Sequence, residues 1–185
     1  MSQQEIGNNF TPPMPVVLVG ALVNGKANFM AVGWCCRCNS NPPMLALSFN
    51  KERYTLDGIR QNGVFSVCFP NRKLMKPTDY CGIFSGKDTD KSILFTIFFG
   101  KESKAPLIEE CSVNLECRLV EQHDLPTNTL VIGEITGAYA SSHILAGDKV
   151  RIEAMDPLIL TMPDCRYWAL DDCVGHAWED GRNLA

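Results

Sequence analysis

The chain has 185 residues, of which 45% are hydrophobic and 21% are charged, with a formal net charge of −4 and a pI near 5.4. This length and composition predict a single globular domain over residues 1–185 that can fold without disulfides or metals. The acidic balance argues against nucleic acid as the main partner, because phosphate binding requires a basic face.

The sequence shows no sign of a membrane or an export route. It has no run of about 18 apolar residues, so we expect no membrane-spanning segment. Residues 1–5 lack the basic and apolar regions of a secretory signal peptide, so we expect a cytoplasmic protein. The nine cysteines are an odd number in a long chain, which favours reduced thiols over a disulfide scaffold.

The first part of the chain predicts an antiparallel meander. After an extended, proline-rich lead-in, three strands are expected at residues 16–23, 27–34 and 44–49. Asn24-Gly25 between the first two strands is a strong hairpin signal, and Pro42-Pro43 marks the turn before the third. Strands joined by such tight turns form a meander and not a βαβ unit.

The middle of the chain predicts short helices around one further strand. A helix is expected over residues 54–62, with Thr55 as its capping residue and Gly63 as its stop. A strand at 64–69 and a helix near 74–81 follow. After a loop at residues 85–91, Thr89 or Asp90 is expected to cap an apolar stretch at 92–99.

Strands resume in the last third of the chain. Apolar and polar residues alternate from 111 to 121, a further strand is expected at 129–140, a short segment begins at 148–151, and 158–161 is expected to be the last small strand. Residues 167–170 precede a glycine-punctuated tail. Many short strands with few, peripheral helices predict a mainly β protein, built as a closed or split β-barrel.

Two neighbouring segments are candidates for a ligand site. In residues 27–34 small side chains alternate with large ones, which is typical of close approach by a ligand, although a barrel corner would also require them. Residues 51–55 carry two cations, two hydroxyls and a helix N-terminus, a combination that stabilises a phosphate. The alternative for this second segment is a solvated, capped loop.

Several familiar nucleotide motifs are absent from the sequence. Ser85-Gly86-Lys87 resembles a phosphate loop, but its spacing from Gly82 is one residue short and Asp88 follows the lysine. No Gly-x-Gly-x-x-Gly occurs, so no Rossmann site is expected. The three histidines belong to no recognised nucleophile motif. Chemistry carried by a bound cofactor suits such a chain.

A metal site is an alternative hypothesis. Cys35 and Cys38 form a Cys-x-x-Cys pair, and Cys173 and His176 have a similar spacing, so the four could bind zinc. Residues three apart in a strand face opposite sides, which argues against this arrangement unless a turn intervenes.

Taken in order, the motifs resemble the flavin reductase-like, FMN-binding split-barrel family, and within it the flavoredoxin-like branch. The resemblance covers nearly the whole chain. It rests on Asn28-x-Met30-Ala31-x-Gly33-Trp34, Asn41-Pro42-Pro43-Met44, Arg53-Tyr54-Thr55, Ser85-Gly86-x-x-x-Asp90-Lys91, Ile132-Gly133-Glu134-Ile135, Asp156-Pro157-Leu158 and Tyr167-Trp168.

The resemblance implies a Greek-key split barrel, a homodimer, and FMN bound near the subunit interface. The residues it assigns to the FMN site are Asn28, Met30, Ala31, Val32, Cys36, Asn50, Lys51, Arg53, Tyr54, Thr55, Lys91 and Trp178. The segment around residues 28–32 and the turn after Trp34 would hold the flavin ring. The loop at 50–55 would hold the phosphate, and Trp178 would cover the flavin.

The activity implied is that of an FMN-dependent oxidoreductase. It would be either a flavoredoxin-like electron carrier or an NAD(P)H-dependent flavin reductase, with NAD(P)H or a redox protein such as ferredoxin as the donor. A Cys/His metal protein on a β-barrel scaffold and a non-catalytic β-barrel interaction protein remain the alternatives.

Two positions depart from the family pattern. Ala31-Val32-Gly33-Trp34 stands where Thr-x-Ser-Trp is common, so two hydroxyls near the ring are missing and backbone contacts must hold it. Tyr139 stands where relatives often carry a histidine after Gly-Glu, which puts NAD(P)H use in question.

Overall fold

Antiparallel strands are the main regular element of the computed structural model, which describes residues 3–183. The expected single domain at 1–185 therefore includes four terminal residues outside the described part. The strands are β1 (Thr11–Pro15), β2 (Val17–Val23), β3 (Lys26–Val32), β4 (Cys35–Asn39), β5 (Met44–Asn50), β6 (Val64–Phe69), β7 (Ile97–Phe99), β8 (Pro106–Ile108), β9 (Val113–Asp124), β10 (Asn128–Ala140), β11 (Leu145–Ala146), β12 (Lys149–Val150), β13 (Leu158–Met162) and β14 (Arg166–Ala169). The prediction of a mainly β fold is confirmed.

The helices are short and lie outside the main sheet. They are α1 (Tyr54–Asn62), α2 (Met75–Ile83) and α3 (Ile152–Met155), with 3-10 turns at Arg72–Leu74, Ser92–Leu94, Ser142–Ile144 and Asp180–Asn183. Among the helices of residues 3–183, none has the length and apolar character that crossing a membrane would require.

One seven-stranded sheet organises the molecule, in the order β3-β2-β6-β9-β10-β5-β4. Every pairing in it is antiparallel. Although β3 and β5 lie near opposite edges of this order, they contact each other. The sheet therefore curls into a barrel that remains split where these strands meet without a ladder. A three-stranded sheet, β1-β13-β14, lies beside it.

Strand β2 lies between two cores, which explains its nearly continuous apolar sequence. Val17 and Val19 point into the barrel, where α1 contributes Leu56 and Ile59. Leu18 points outward into a second cluster that contains Cys68, Cys81 and Cys111. These three thiols are buried small hydrophobes in the core, and burial is the main cause of their raised pKa values.

Most predicted elements occur within a few residues of their expected positions, and two corrections concern strands. The lead-in includes strand β1, which pairs with β13. The residues after Trp34 form strand β4 along β5 and not a turn. The apolar stretch at 92–99 is also divided between a 3-10 turn, Ser92–Leu94, and strand β7.

A third correction concerns the start of α1. Arg53 occupies the capping position and no side chain caps the helix. Thr55 lies inside the first turn, where its Oγ1 accepts a hydrogen bond from Asn28 Nδ2 at 2.7 Å. The predicted stop is correct: Gly63 has a φ of 66° and its N–H donates to the Ile59 carbonyl.

Candidate functional site

The loop between β5 and α1 folds back tightly on Asn50. The Asn50 carbonyl accepts from the Arg53 N–H at 3.1 Å, and Asn50 Oδ1 accepts from the Glu52 N–H at 3.0 Å. This turn brings the first turn of α1 to the end of strand β5. Because no side chain caps the helix, its free N–H groups and partial positive charge are available to an anion.

A cavity of about 650 Å³ opens at this helix end. Seven of the residues assigned to the FMN site line it: Asn28, Met30, Asn50, Arg53, Tyr54, Thr55 and Lys91. We call it the central cavity. Its volume lies within the range of about 300–1,000 Å³ that is typical of sites for small ligands and cofactors.

The far wall of the central cavity comes from a segment that the sequence analysis did not assign to the site. Phe84, Ser85, Gly86 and Lys87 form this wall. A Cβ at Gly86 would overlap Asn28 Oδ1, so glycine allows the segment to approach strand β3. The Ser-Gly-Lys sequence therefore lies at a cavity wall although it is not a phosphate loop of the Walker type. The conspicuous glycine was the available signal.

A smaller cavity of about 210 Å³, with more apolar than polar residues in its lining, continues from the central one along β3. Ala31 and Val32, both predicted site residues, line it, and it shares Met30, Asn50 and Arg53 with the central cavity. Its other walls are formed by Met14, Gly33, Trp34, Ser48, Phe49, Asn128, Leu160 and Met162. We call it the apolar cavity. The two form one cleft, with Lys87 and Lys91 at the central end, most of the apolar residues at the other end, and Arg53 between them.

Lys91 is a buried cation in the wall of the central cavity. Its side chain belongs to a residue that is only 3% exposed, and Nζ donates to the carbonyls of Cys81 at 3.3 Å and Phe84 at 3.1 Å. Within residues 3–183 no carboxylate forms an ion pair with it. Burial lowers the pKa of Lys91. A buried ammonium with only neutral partners favours an anionic ligand nearby.

Arg53 and Tyr54 border the same cavity from the helix side. Arg53 is exposed, and its Nη1 donates to the Gly82 carbonyl at 3.2 Å, close to the end of α2. Tyr54 is half-buried, and Lys87 Nζ lies 5.9 Å from the centre of its ring. Three cations therefore surround the central cavity: Arg53, Lys87 and Lys91.

Three of the assigned residues lie outside these walls. Lys51 is exposed in the loop before α1 but lines neither cavity. Cys36 is exposed on β4 and lines a separate apolar pocket of about 320 Å³ beside Trp34. Trp178 is 92% exposed in the C-terminal segment. A contact between any of these residues and a flavin stays a prediction.

The structure gives the metal alternative no preformed site. In residues 3–183 no group of three or more His, Cys, Asp or Glu side chains is placed to hold a metal ion. Cys35 and Cys38 lie on strand β4, and Cys173 is exposed in the C-terminal segment. Cys35 and Cys38 are therefore three residues apart on one strand, which is the geometry that argues against a shared metal ion.

Tyr139, at the position where relatives often carry a histidine, makes two hydrogen bonds that are structural. Its hydroxyl donates to Glu116 Oε2 at 2.8 Å and accepts from the Lys101 N–H at 2.9 Å. Glu116 is fully buried and also accepts from the N–H and Oγ of Ser103, both at 2.8 Å. Tyr139 thereby fastens the segment before β8 to the sheet.

Comparison with known proteins agrees with the fold and the cleft. A flavoredoxin from Methanosarcina acetivorans shares 50% identity and superposes with a TM-score of 0.96 over the full length of both chains. The flavoredoxin of Desulfovibrio vulgaris shares 30% identity with a TM-score of 0.91, covering 98% of this chain and 100% of that one. The FMN reductase (NADH) RutF of Agrobacterium fabrum is 28% identical over 140 residues, which are 71% of this chain and 76% of that protein.

The family model described as flavin reductase like domain matches residues 11–160. This range contains the helix end, the segment around Gly86, all residues that line the central cavity, and all that line the apolar cavity except Met162. The split-barrel prediction and the family resemblance are both confirmed: the chain belongs to the flavin reductase like domain family, and it is an oxidoreductase of that flavin-dependent class.

Proposed function

We propose that the cleft binds FMN and that the protein passes electrons through it, in the manner of a flavoredoxin. The observation that carries this proposal is the polarity of the cleft. The central cavity offers an uncapped helix N-terminus and three cations against one carboxylate, Glu52, whereas most of the residues that line the adjoining cavity are apolar. FMN has the matching shape, with a phosphate at one end and a flat aromatic ring at the other.

The proposed orientation places the phosphate at the first turn of α1. Arg53 contributes a charged donor there, and Thr55 and Tyr54 border the phosphate. Residues of β3 and of the apolar cavity, among them Met30 and Trp34, would hold the ring. Since Ala31 and Gly33 carry no hydroxyl, backbone groups of the strand hold the polar edge of the ring.

Electron transfer is the chemistry that the flavin supplies when it is bound. The chain's own contribution is to orient the ring, to exclude water from it, and to set the local charge. Lys91 supports this role because it is buried, cationic and without a carboxylate partner in residues 3–183. Reduction adds negative charge to the bound group, so a nearby cation raises its reduction potential.

A redox protein such as ferredoxin is the favoured electron donor, and NAD(P)H is the second candidate. The similarity to two flavoredoxins at 50% and 30% identity supports the first. Tyr139 also supports ferredoxin over NAD(P)H, because its hydroxyl already donates to Glu116 and accepts from the Lys101 N–H. The similarity to an NADH-dependent FMN reductase is the reason to retain the second.

We also propose a homodimer in a reducing compartment, the cytoplasm. Trp34 and Met162, at the open side of the apolar cavity, are 48% and 37% exposed. Apolar residues exposed together at the edge of a site favour burial against a second copy. All nine cysteines are free thiols, which supports a reducing environment.

Three measurements test these proposals. The purified protein should be yellow, or should become so when FMN is titrated into the flavin-free form with a stoichiometry of one per chain. Anaerobic stopped-flow mixing with reduced ferredoxin, NADH and NADPH in turn identifies the donor, and light scattering gives the mass in solution. A colourless protein that binds no FMN would refute the flavin site.

A further inference from the structure

Two exposed cysteines lie on one face of strand β4, which is the last strand in the order of the main sheet. Cys35 points inward and packs against the barrel core. Because side chains alternate along a strand, Cys36 and Cys38 are directed to the outer face, and both thiols are free and exposed there. The predicted contact between Cys36 and the flavin gives no role to Cys38.

Strand β4 is irregular at the second of these cysteines. Arg37 is opposite Leu45 and Asn39 is opposite Met44, so two steps along β4 match one step along β5. Cys38 is therefore the extra residue of a bulge, and the strand is compressed there. In a regular strand, Cα atoms two residues apart are separated by about 6.6 Å, which is already inside the limit of about 7 Å for a disulfide. The bulge reduces this separation and brings the two cysteines within the range of one bond.

The turn after β4 holds the backbone around the pair. Arg37 Nε donates to the Asn39 carbonyl at 2.6 Å, and Asn39 Nδ2 donates to the Pro42 carbonyl at 2.7 Å. A disulfide between residues that are so close in a fixed strand would be strained. Strained and exposed disulfides are easily reduced, and they are the catalytic or regulatory ones. A bond between Cys36 and Cys38 would therefore serve redox chemistry and not stability.

The first cysteine of the pair also lies next to the cleft. Cys36 lines the apolar pocket of about 320 Å³ beside Trp34. This pocket shares Met14, Gly33, Trp34 and Ser48 with the apolar cavity. Trp34, two residues before Cys36, thus belongs to the walls of both. The dithiol pair is consequently close to the part of the cleft that is proposed to hold the flavin ring.

We infer that Cys36 and Cys38 form a reversible disulfide that exchanges electrons with a flavin bound in the cleft. This inference rests on the proposed function, which supplies the reduced flavin. The disulfide takes two electrons from that flavin, and two protons from the flavin and from water. The S–S bond breaks, two thiols form, and the flavin is left oxidised. Cys36 is the member nearer the cleft, and Cys38, at the strand end, is the member that exchanges with a disulfide of another molecule.

The pair itself is tested in the full-length, flavin-free protein. The chain is equilibrated anaerobically with mixtures of reduced and oxidised glutathione, free thiols are alkylated, and the peptides are identified by mass spectrometry. We expect a bond that joins Cys36 to Cys38 in the oxidising mixtures and two alkylated thiols in the reducing ones. Reduced glutathione should open this bond as completely as dithiothreitol does, because a strained disulfide is readily reduced.

An anaerobic reductive titration of the FMN-loaded, disulfide-containing protein tests the electron route. The wild type should take up four electrons per chain, two for the flavin and two for the disulfide. After the addition of only two electrons, the yellow colour should return in the dark while two thiols per chain appear. Cys38→Ser should take up two electrons and stay bleached, and Cys38→Ala should repeat this result.

Cys173→Ser is the matched control, because it removes an exposed thiol of the C-terminal segment that lines neither cavity of the cleft. It should behave as the wild type in both measurements.

Three results would overturn the inference while leaving the proposed function intact. The first is that no glutathione mixture produces a bond between Cys36 and Cys38. The second is that either cysteine is instead joined to a different thiol. The third is that the bond forms but the FMN-loaded wild type takes up no more electrons than Cys38→Ser. A chain that binds no FMN would refute the proposed function and the electron route, and the glutathione measurement would still decide whether the pair forms.

Discussion

Replacing Lys91 with methionine tests the electrostatic centre of the cleft. Methionine has a similar length and no charge, so the substitution keeps most of the packing around a residue that is 3% exposed. If Lys91 contacts an anionic part of FMN, the loss of one charge-assisted contact costs about 1.5–3 kcal/mol. The dissociation constant for FMN should then rise roughly tenfold to a hundredfold.

The stability of the flavin-free protein should respond differently. Methionine removes the desolvation cost of a buried ammonium, but it also removes the donor to the carbonyls of Cys81 and Phe84. These effects oppose each other, so the free energy of unfolding should change by less than about 1 kcal/mol. Urea unfolding of the flavin-free protein measures it. A loss of FMN affinity without a loss of stability identifies Lys91 as a ligand-binding group.

The pH profile provides a second readout for the same variant. Only the protonated ammonium attracts the anion, and burial lowers the pKa of Lys91. The FMN affinity of the wild type should therefore decline as the pH rises through this lowered pKa, below the ordinary lysine value of about 10.4. The variant should lack this decline.

Lys87→Met is the matched control, because Lys87 lines the same cavity but is exposed. An exposed charge contributes about 0.5 kcal/mol, so its loss should weaken FMN only about two- to threefold. The reasoning is refuted if Lys91→Met binds FMN as tightly as the wild type, or if both lysine variants lose affinity equally.

Three further substitutions test the surroundings of the cleft. Arg53→Ala should weaken FMN by about 1–2 kcal/mol in a fluorescence titration, because a charge-assisted contact at an exposed side chain is lost; unchanged affinity would remove Arg53 from the phosphate site. Asn28→Leu should lower the free energy of unfolding of the flavin-free protein by about 1–3 kcal/mol, because Thr55 Oγ1 loses its buried donor; wild-type stability would contradict this. Hydrogen bonding from Ser92, then Lys26, lowers the pKa of Asp90 from 3.8 to about 2, so its stabilising effect is full above the ordinary value and is lost as pH falls through the lowered one. In acid unfolding, the difference in the free energy of unfolding between the wild type and Asp90→Asn should narrow below about pH 4, persist in part near pH 2 and vanish only about one unit lower. A difference that does not narrow over this range would contradict the assignment.

Features determined by neighbouring residues could be predicted from the sequence. Asn24-Gly25 forms the expected hairpin turn, with φ of 51° and 80°, because two successive residues with positive φ match the twist of the strands. The segment with alternating apolar and polar residues, 111–121, forms most of β9, because one face of the sheet is buried and the other is not. Gly63 ends α1 with the left-handed conformation that glycine favours.

Features that depend on distant contacts could not be predicted in this way. Thr55 was expected to cap α1, but Asn28, 27 residues earlier, uses its hydroxyl. Strand β1 carries three prolines and is recognisable as a strand only because β13 pairs with it from the far end of the chain. The wall around Gly86 is part of the cleft because β3 lies beside it; the glycine indicates a close approach but does not identify that neighbour.

The small residues of β3 had two interpretations, a ligand-binding site or a barrel corner. In the structure both interpretations hold together. A Cβ at Gly33 would lie 2.7 Å from Met14 Sδ, so glycine is required there by the approach of β1. Ala31 faces α2, where a Cβ at Gly82 would come within 3.5 Å of it. Packing therefore explains why these positions are small. The same packing brings Met14 and Leu160 to the apolar cavity, and it places the end of α2 where its carbonyls accept hydrogen bonds from Arg53 and Lys91 of the central one. The residues that let β3 pack closely thus also support the walls of the cleft. Enlarging either residue should consequently reduce stability and FMN affinity together, in contrast to Lys91→Met, where we expect only the affinity to fall.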